Sequence, residues 1–212
     1  MLCGGQSRRM HTSKAMLPFG PEVMLQRVVR LLGQAVQPLA VVAAPGQCLP
    51  TLPPEVLIVR DREQGRGPLE GLRAGLHALV PHADAAYATG CDAPLLNPDF
   101  VGFMINQLEG HDIAVPVDKH SYHPLAAVYR IGVLPQIEQS LDRQQWKPRL
   151  LFELVSTCEV PVALLESVDP GLLTLVNLNH PEDYLSALAM AGFETPRDFS
   201  QISQSESSIS SK

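Results

Sequence analysis

The sequence is short of basic residues and has no long apolar run, and both features narrow what the chain can be. Its 212 residues carry 16 lysines and arginines against 22 acidic residues, a net charge of −6. Nucleic-acid binders are usually basic, so we expect no nucleic acid among the partners. No apolar stretch is long enough to span a membrane, and the start lacks the apolar core of a signal peptide. We therefore expect a cytoplasmic protein without a membrane partner.

Paired cysteine motifs and internal repeats are also missing. The four cysteines form no CxxC pair, which favours reduced cytosolic thiols, although the sequence alone leaves a disulfide open. The composition, 45% apolar and 18% charged, is that of a globular protein long enough for one full core. We expect one domain over residues 1–193 and a Ser-rich disordered tail over residues 194–212.

Short apolar runs alternate with helical patterns along the chain. Strands are predicted at "LAVVA" (39–43), "VLIV" (56–59), "AAYATG" (85–90), "DIAVPV" and "LAAVYR", and extended segments at "VPVALL" and "LTLVNL". Helices are predicted over 21–34, "GPLEGLRAGLHAL", "NPDFVGFMINQL" with Asn97 as N-cap, "VLPQIEQSL", "RLLFELVS" and 181–191. This alternation predicts an α/β fold in which helices cover both faces of a mostly parallel sheet.

The opening stretch "MLCGGQSRRMHTSK" combines glycines with basic residues. Glycines let the backbone approach a ligand closely, and Arg8, Arg9 and Lys14 could neutralise a polyphosphate. The spacing matches neither GxGxxG nor a Walker A loop, and a solvated basic turn is the alternative. Such a loop follows a strand of about five residues, whereas three residues precede Gly4. We expect either a shortened strand or a natural start upstream, and favour the second.

Two aspartates follow predicted strands, at the edge where open α/β sheets bind ligands. Asp61 follows "VLIV", and Gly65 and Gly67 lead from it to a helix N-terminus suited to an anion. Asp92 follows "AAYATG" and suits Mg²⁺, which often takes one or two carboxylates and completes its shell with phosphates and water. The alternatives are an ordinary strand-to-helix connection and a turn-capping carboxylate.

Two further polar pairs lie near the ends of predicted elements. His120 and His123 precede "LAAVYR"; a zinc site is one interpretation, but cysteine or acidic ligands at suitable spacing are missing, which favours a loop histidine touching substrate. Asn177 and Asn179 alternate along a predicted extended segment and so face opposite ways. Helix capping alone would explain most of "VNLNHPED".

The combination of motifs is more specific than its parts. The order "LCGGQSRRM…SK", "D…GxGPLEGL", "CDAPLL", "HPLAAVYR" and "NLNHPEDY" resembles the molybdenum cofactor guanylyltransferase family, a MobA-like branch of the nucleotidyltransferases, over about residues 2–190. The resemblance implies a three-layer α/β/α sandwich of the nucleotide-diphospho-sugar-transferase type (Rossmann-like). It implies transfer of GMP from GTP to the phosphate of a molybdopterin-type cofactor, with release of pyrophosphate.

The same resemblance implies the roles of individual residues. Nucleotide contacts are expected from Leu2, Cys3, Gly4, Gly5, Ser7, Arg8, Lys14, Asp61 and Asp92. Arg9, Lys14 and Asp92 are expected to act on the reacting phosphates, with Asp92 holding Mg²⁺. His123, Asn177 and Asn179 are expected on the pterin side. Molybdenum cofactor biosynthesis proteins and target molybdoenzymes are the implied protein partners.

The sequence departs from the family pattern in three places. Residues 10–14 read Met-His-Thr-Ser-Lys instead of Met-Gly-x-Asp-Lys, Ala43 or Ala44 stands where an asparagine often contacts the nucleotide, and His180 replaces a threonine. These changes leave the choice between GTP and CTP open. The alternatives are cytidylyl transfer, nucleotidyl transfer to another phosphorylated metabolite, a weakly active nucleotide-binding module, and an accessory protein of molybdoenzyme assembly.

Overall fold

A computed structural model describes residues 1–4, 13–61, 67–119 and 121–196. The strands are β1 (Pro18–Phe19), β2 (Glu22–Val23), β3 (Ala40–Ala43), β4 (Leu57–Arg60), β5 (Ala85–Thr89), β6 (Ile113–Val117), β7 (Ala126–Arg130) and β8 (Thr157–Pro161). The α-helices are α1 (Met24–Leu32), α2 (Pro68–Leu79), α3 (Pro98–Asn106), α4 (Leu134–Asp142), α5 (Pro148–Phe152), α6 (Val162–Leu165) and α7 (Pro181–Met190). Short 3₁₀ helices cover Lys14–Met16, Ile131–Val133 and Leu173–Leu175.

The main sheet is mostly parallel, as predicted. β4 pairs with β3, and on the other side the order is β5-β7-β6-β8. Leu2 forms parallel bridges with Val42 and Gly90, so the N-terminal segment (residues 1–4) joins β3 to β5. Only β7 runs against its neighbours among the described strands of this sheet, being antiparallel to β5 and β6.

The N-terminal segment pairs with a strand on each side. The N–H of Cys3 donates to a β3 carbonyl at 2.7 Å, and the N–H of Leu2 donates to a β5 carbonyl at 2.8 Å. The α-amino group of Met1 donates to the carbonyl of Ala40 at 2.7 Å, and burial lowers the pKa of this amino group to about 6. The segment therefore completes the ladder between the two halves of the sheet.

Helices cover both faces of the sheet. α1 and α3 share a core cluster with Val128 of β7, whereas α2, α4 and α5 share a second cluster with Tyr129, the next residue. Neighbouring strand residues enter different clusters because their side chains alternate across the sheet. This arrangement confirms the three-layer α/β/α sandwich. In a third cluster, α7 packs on the β1–β2 hairpin, and the hydroxyl of Tyr184 donates to the carbonyl of Pro18.

The helices with clear start signals begin where the sequence predicts. Pro68 occupies the first turn of α2, after Gly67 with φ of +73°. Asn97 caps α3, and its side chain accepts the N–H of Asp99 at 2.9 Å. α7 begins at Pro181, as expected. None of the helices in the described ranges has the length and apolar composition needed to cross a membrane.

Two predicted extended segments are wrong, and one predicted helix begins later than expected. The helix expected over 21–34 begins only at Met24, because a hairpin with a turn at Gly20 (φ +66°) comes first. "VPVALL" is the end of β8 followed by α6, and "LTLVNL" is a 3₁₀ helix followed by irregular chain. Short apolar runs are ambiguous between strand and helix. Here Asp169, which accepts the N–H of Thr174 at 2.8 Å, stabilises the helical turn.

Candidate active site

Several predicted site residues collect at one edge of the sheet. Gly4 ends the N-terminal segment, Asp61 follows β4, and Asp92 lies shortly after β5. The N-terminal segment, β4 and β5 run parallel, so their carboxyl ends share that edge. Three strand spacings separate β4 from β5, so their ends lie about 14 Å apart. This distance is too long for Asp61 and Asp92 to hold one ion, so the two carboxylates would contact different parts of a ligand.

Lys14, Asp92 and Asn179 are in direct contact and form what we call the Lys14 cluster. The Nζ of Lys14 lies 3.0 Å from Oδ2 of Asp92 and 3.4 Å from Oδ1 of Asn179. The Lys14 and Asp92 side chains are 17% and 24% exposed, so a ligand can reach them. The N–H of Leu178 donates to the Asp92 carbonyl at 3.0 Å and brings the asparagine stretch to β5. The structure thus brings together three residues predicted as separate contacts.

Two side chains of the Lys14 cluster, Asp92 and Asn179, carry oxygen atoms that could hold a magnesium ion. Two oxygen-bearing side chains, Asp92 and Asn179, converge on one positive charge, the ammonium of Lys14. Oxygen donors with few carboxylates are the ligands of Mg²⁺, which takes its other ligands from phosphates and water. Within the described ranges no group of three or more His, Cys, Asp or Glu side chains could hold a metal. The zinc interpretation of His123 therefore has no ligand set behind it there, and His120 lies outside those ranges.

Gly90 is a site residue that the sequence analysis missed. A Cβ at this position would collide with Oδ1 of Asp92, so the carboxylate folds back over a main chain that only glycine leaves open. Gly4 is similarly restricted, since a Cβ there would lie 3.1 Å from the backbone nitrogen of Ala44. The signal for Gly90 was present in "TGCD", where glycine stands two residues before the aspartate.

Gln47 is a second missed residue and supports the end of β3. Its Oε1 accepts the N–H of Ala44 at 2.9 Å, and its Nε2 donates to the carbonyl of Cys3 at 3.2 Å. Arg60 donates to the carbonyls of Ala44 and Gln47 at 3.1 and 2.8 Å. The Gln47 amide is thus hydrogen-bonded to the main chain at the end of β3, where the sequence has Ala43 and Ala44. A glutamine in a loop gives no sequence signal for this role.

Cys3 and Cys91 lie side by side at the same edge. Both are buried, and the N–H of Cys91 donates to the carbonyl of Leu2 at 3.0 Å. A hydrogen bond between the two thiols lowers the pKa of Cys3 and raises that of Cys91, which burial raises further. All four cysteines are free, in agreement with the reduced state expected from the sequence.

His123 and Asn177 line a cavity of about 180 Å³, the His123 cavity, together with Tyr122 and Thr174. The Nε2 of His123 lies 3.4 Å from Oδ2 of Asp118. Because Asn177 lines this cavity while Asn179 contacts Lys14, the two asparagines face different parts of the site.

Helix capping also occurs in the asparagine stretch, as the alternative interpretation expected. The N–H groups of Asn179 and His180 donate to Oδ2 of Asp183, each at 2.8 Å. These backbone hydrogen bonds lower the pKa of Asp183. Capping and ligand contact are compatible here, because Asn179 uses its N–H for the cap and its side chain for Lys14.

Several predicted residues lie outside the described ranges, and their roles stay predictions. These residues are Gly5, Ser7, Arg8, Arg9 and Gly65, together with the part of the expected tail from residue 197 onward.

Comparison with known proteins identifies the family. Residues 1–157 match the family model of the MobA-like NTP transferase domain. The chain belongs to this family. A relative from Pelotomaculum thermopropionicum, named "Probable molybdenum cofactor guanylyltransferase", is 33% identical over 195 residues, which cover 90% of this chain and 91% of the relative. A relative of the same name from Mycobacterium avium is 34% identical over 197 residues, with 90% and 94% coverage.

Solved structures share the MobA-like fold. Molybdopterin-guanine dinucleotide biosynthesis protein A from Archaeoglobus fulgidus superposes with a TM-score of 0.72 at 20% identity, covering 90% of this chain and 96% of that one. The 2-C-methyl-D-erythritol 4-phosphate cytidylyltransferase from Thermus thermophilus gives 0.64 at 15% identity, with 90% and 97% coverage. Family and relatives together make this MobA-like chain a nucleotidyltransferase of molybdenum cofactor biosynthesis, as the motifs predicted.

Proposed function

We propose that this enzyme transfers GMP from GTP to the phosphate of a molybdopterin-type cofactor and releases pyrophosphate. The observation that carries the proposal is the position of the Lys14 cluster. Its Asp92 follows β5, which pairs with the glycine-containing N-terminal segment, and Asn177, two residues before Asn179, lines the His123 cavity. In this proposal the Lys14 cluster would bind the phosphates, with the nucleotide on the side of the N-terminal segment and the acceptor on the side of the His123 cavity. The guanylyl group and the cofactor are taken from the names of the relatives.

The proposed reaction exchanges one phosphoanhydride-type bond for another. An oxygen of the acceptor phosphate attacks the α-phosphorus of GTP, a new P–O bond forms, and the bond to the bridging α–β oxygen breaks. Pyrophosphate leaves with that oxygen and its electron pair. Such transfers depend on positioning and charge stabilisation, so the protein need not supply a covalent nucleophile.

The ammonium of Lys14 would act as a point charge on the triphosphate. It already donates to two side-chain oxygens, of Asp92 and Asn179, and a phosphate oxygen would join or replace these acceptors. Arg8 and Arg9 would add positive charge. Asp92, with Asn179, would hold Mg²⁺, and a bound Mg²⁺ offsets the charge that develops on phosphate oxygens.

Asp61 would contact the guanine nucleotide away from the phosphates. Its place at the end of β4, about 14 Å along the sheet edge from the end of β5, separates it from the Lys14 cluster. The main chain of Cys3 and Gly4, held by Gln47, would lie between the two ends. His123 and Asn177 would contact the pterin, because they share a cavity and Asn177 lies two residues before Asn179 of the Lys14 cluster.

Comparing three nucleotides as substrates tests the proposal. Pyrophosphate release is measured with GTP, CTP or ATP, each with and without the molybdenum cofactor as acceptor. We expect release only with acceptor present, and faster with GTP than with CTP or ATP. Faster release with CTP would instead support cytidylyl transfer, the second candidate. One observation favours that candidate, namely that alanines stand at the end of β3 where the family often has an asparagine.

We also propose molybdenum cofactor biosynthesis proteins and target molybdoenzymes as partners, since the dinucleotide product has to be handed on. A cytoplasmic location follows from the same role. Co-purification of a molybdoenzyme with the tagged enzyme, lost on adding excess free product, would support the hand-over. Its absence under cross-linking would argue against it.

A further inference from the structure

Trp146, the chain's single tryptophan, lies beside the start of α2 and outside the core. It is 43% exposed. Its carbonyl oxygen lies 3.6 Å, and its Cβ 4.0 Å, from the position that a Cβ on Gly67 would occupy. Gly67 precedes Pro68 in the "GPLEGL" motif, at the helix N-terminus that follows Asp61 in the chain. The main chain and Cβ of Trp146 thus lie at this helix start with the residue exposed, which is unusual because tryptophan is mostly well buried.

From Trp146 the chain runs towards the other side of the site. Lys147 precedes α5, and the guanidinium of Arg149 lies 5.8 Å from the ring centroid of Tyr122. Tyr122 lines the His123 cavity. Residues 146–149 therefore connect the start of α2 with the wall of that cavity, and they present one indole and two cations.

We propose that Trp146 is a stacking residue whose indole covers the fused bicyclic ring of a phosphate-bearing ligand. The inference rests on the proposed function, in which both substrates carry such a ring, guanine in GTP and the pterin in the acceptor. Indole faces stack on heteroaromatic rings, and neighbouring Lys147 and Arg149 attract the phosphate of the same ligand. Trp146 belongs to none of the three core clusters that the described residues form.

Intrinsic fluorescence tests the proposal directly, because all tryptophan emission comes from Trp146. Wild-type protein with MgCl₂ is titrated with GTP and, in a separate arm, with 6-hydroxymethylpterin monophosphate; inorganic triphosphate, which has no ring, is the control. We expect quenching and a spectral shift with at least one ring-bearing ligand and little change with triphosphate. The arm that responds identifies which substrate ring lies on the indole.

Calorimetry with variants separates stacking from other causes of quenching. Trp146→Ala should raise the dissociation constant of the responding ligand about 5- to 100-fold, the range for losing one stacked base. It should leave the dissociation constant of triphosphate unchanged. Trp146→Phe should stay within a few fold of wild type. Leu164→Ala, at another exposed apolar residue (54%), should have no effect.

The failure of this proposal differs from a failure of the proposed function. If wild type binds both ligands and Trp146→Ala binds them equally well, stacking is wrong while nucleotidyl transfer stands. If wild type binds neither ring-bearing ligand, both proposals are wrong. Loss of triphosphate binding in Trp146→Ala would show that the indole supports the fold of the site, and would also overturn stacking.

Discussion

Asp92 carries the most specific expectation among single residues, because it contacts Lys14 and lies at the end of a parallel strand. Asp92→Ala removes the carboxylate but keeps the main-chain carbonyl that accepts the N–H of Leu178, so the fold should persist. Loss of a metal ligand should slow Mg²⁺-dependent turnover about a thousandfold or more. Turnover and circular dichroism are measured beside Glu109→Ala, an exposed acidic control. A rate within tenfold of wild type would remove Asp92 from this role.

Lys14 should distinguish phosphate chains by length. Its ammonium is a single point charge in the cluster with Asp92 and Asn179, so Lys14→Ala should weaken GTP binding more than GMP binding. Charge-assisted contacts contribute about 1.5–3 kcal/mol, which corresponds to roughly 10- to 150-fold in the GTP dissociation constant. Calorimetry with both nucleotides measures the difference. Equal losses for GTP and GMP would place Lys14 on another part of the ligand.

Gly90 should be required for the direction of the Asp92 carboxylate. In Gly90→Ala the new methyl group meets Oδ1 of Asp92, and the flexible carboxylate should yield before the sheet does. We expect at least about a tenfold loss of Mg²⁺-dependent turnover with little change in the free energy of unfolding, because the carboxylate gives way. Kinetics and urea unfolding measure both. Unchanged kinetics would mean that the carboxylate has another productive position.

At the scale of elements, Gly102 in α3 is a matched control for the glycine substitution at Gly90. Gly102 lies inside the helix, and nothing lies within 4 Å of the position that a Cβ would take. Gly102→Ala should therefore stabilise the protein by about 0.5–1 kcal/mol, the helical preference for alanine over glycine. Urea unfolding gives the change and kinetics should stay the same. A destabilised Gly102→Ala would reveal a contact that the open space does not suggest.

Elements were predictable where the sequence carries start signals as well as periodicity. α2, α3 and α7 each begin with proline in the first turn, and α3 also has the Asn97 cap. The hairpin before α1 and the helical turns in "VPVALL" and "LTLVNL" do not follow from the local pattern. At the turn in "LTLVNL", for example, the hydroxyl of Thr174 accepts the N–H of Asn97, 77 residues earlier in the chain, at 2.9 Å. Local pattern cannot report such contacts.

For the whole molecule, the N-terminal segment connects the two halves of the sheet. The N–H groups of Cys3 and Cys91 are bonded at 2.7 and 3.0 Å across this junction. Separating them would open the central ladder, so these two amides should exchange hydrogen about as slowly as the core of β7. The amide of Gln34, in a turn after α1, should exchange much faster. Rapid exchange at Cys3 and Cys91 would show that the halves are held together by their helices.

The candidate site could be predicted in part at this scale. Sheet topology alone places Asp61 and Asp92 at one edge, and that follows from strand ends read in the sequence. The contact between Lys14 and Asn179 joins residues from opposite ends of the chain, and the space at Gly90 depends on a side-chain direction. Neither this contact nor the restriction at Gly90 can be predicted from local sequence pattern. The combined motifs identified the family without either feature.

The central claim, guanylyl transfer to a pterin phosphate, is tested most directly by following the α-phosphate itself. Wild-type enzyme is incubated with MgCl₂, the molybdenum cofactor and GTP labelled at the α-phosphorus, and the products are separated. We predict that label appears in a pterin dinucleotide in a one-to-one ratio with released pyrophosphate. The Asp92→Ala variant should form no labelled dinucleotide above background. Label that stays in GTP, or that appears only as free GMP with the acceptor unchanged, would contradict it.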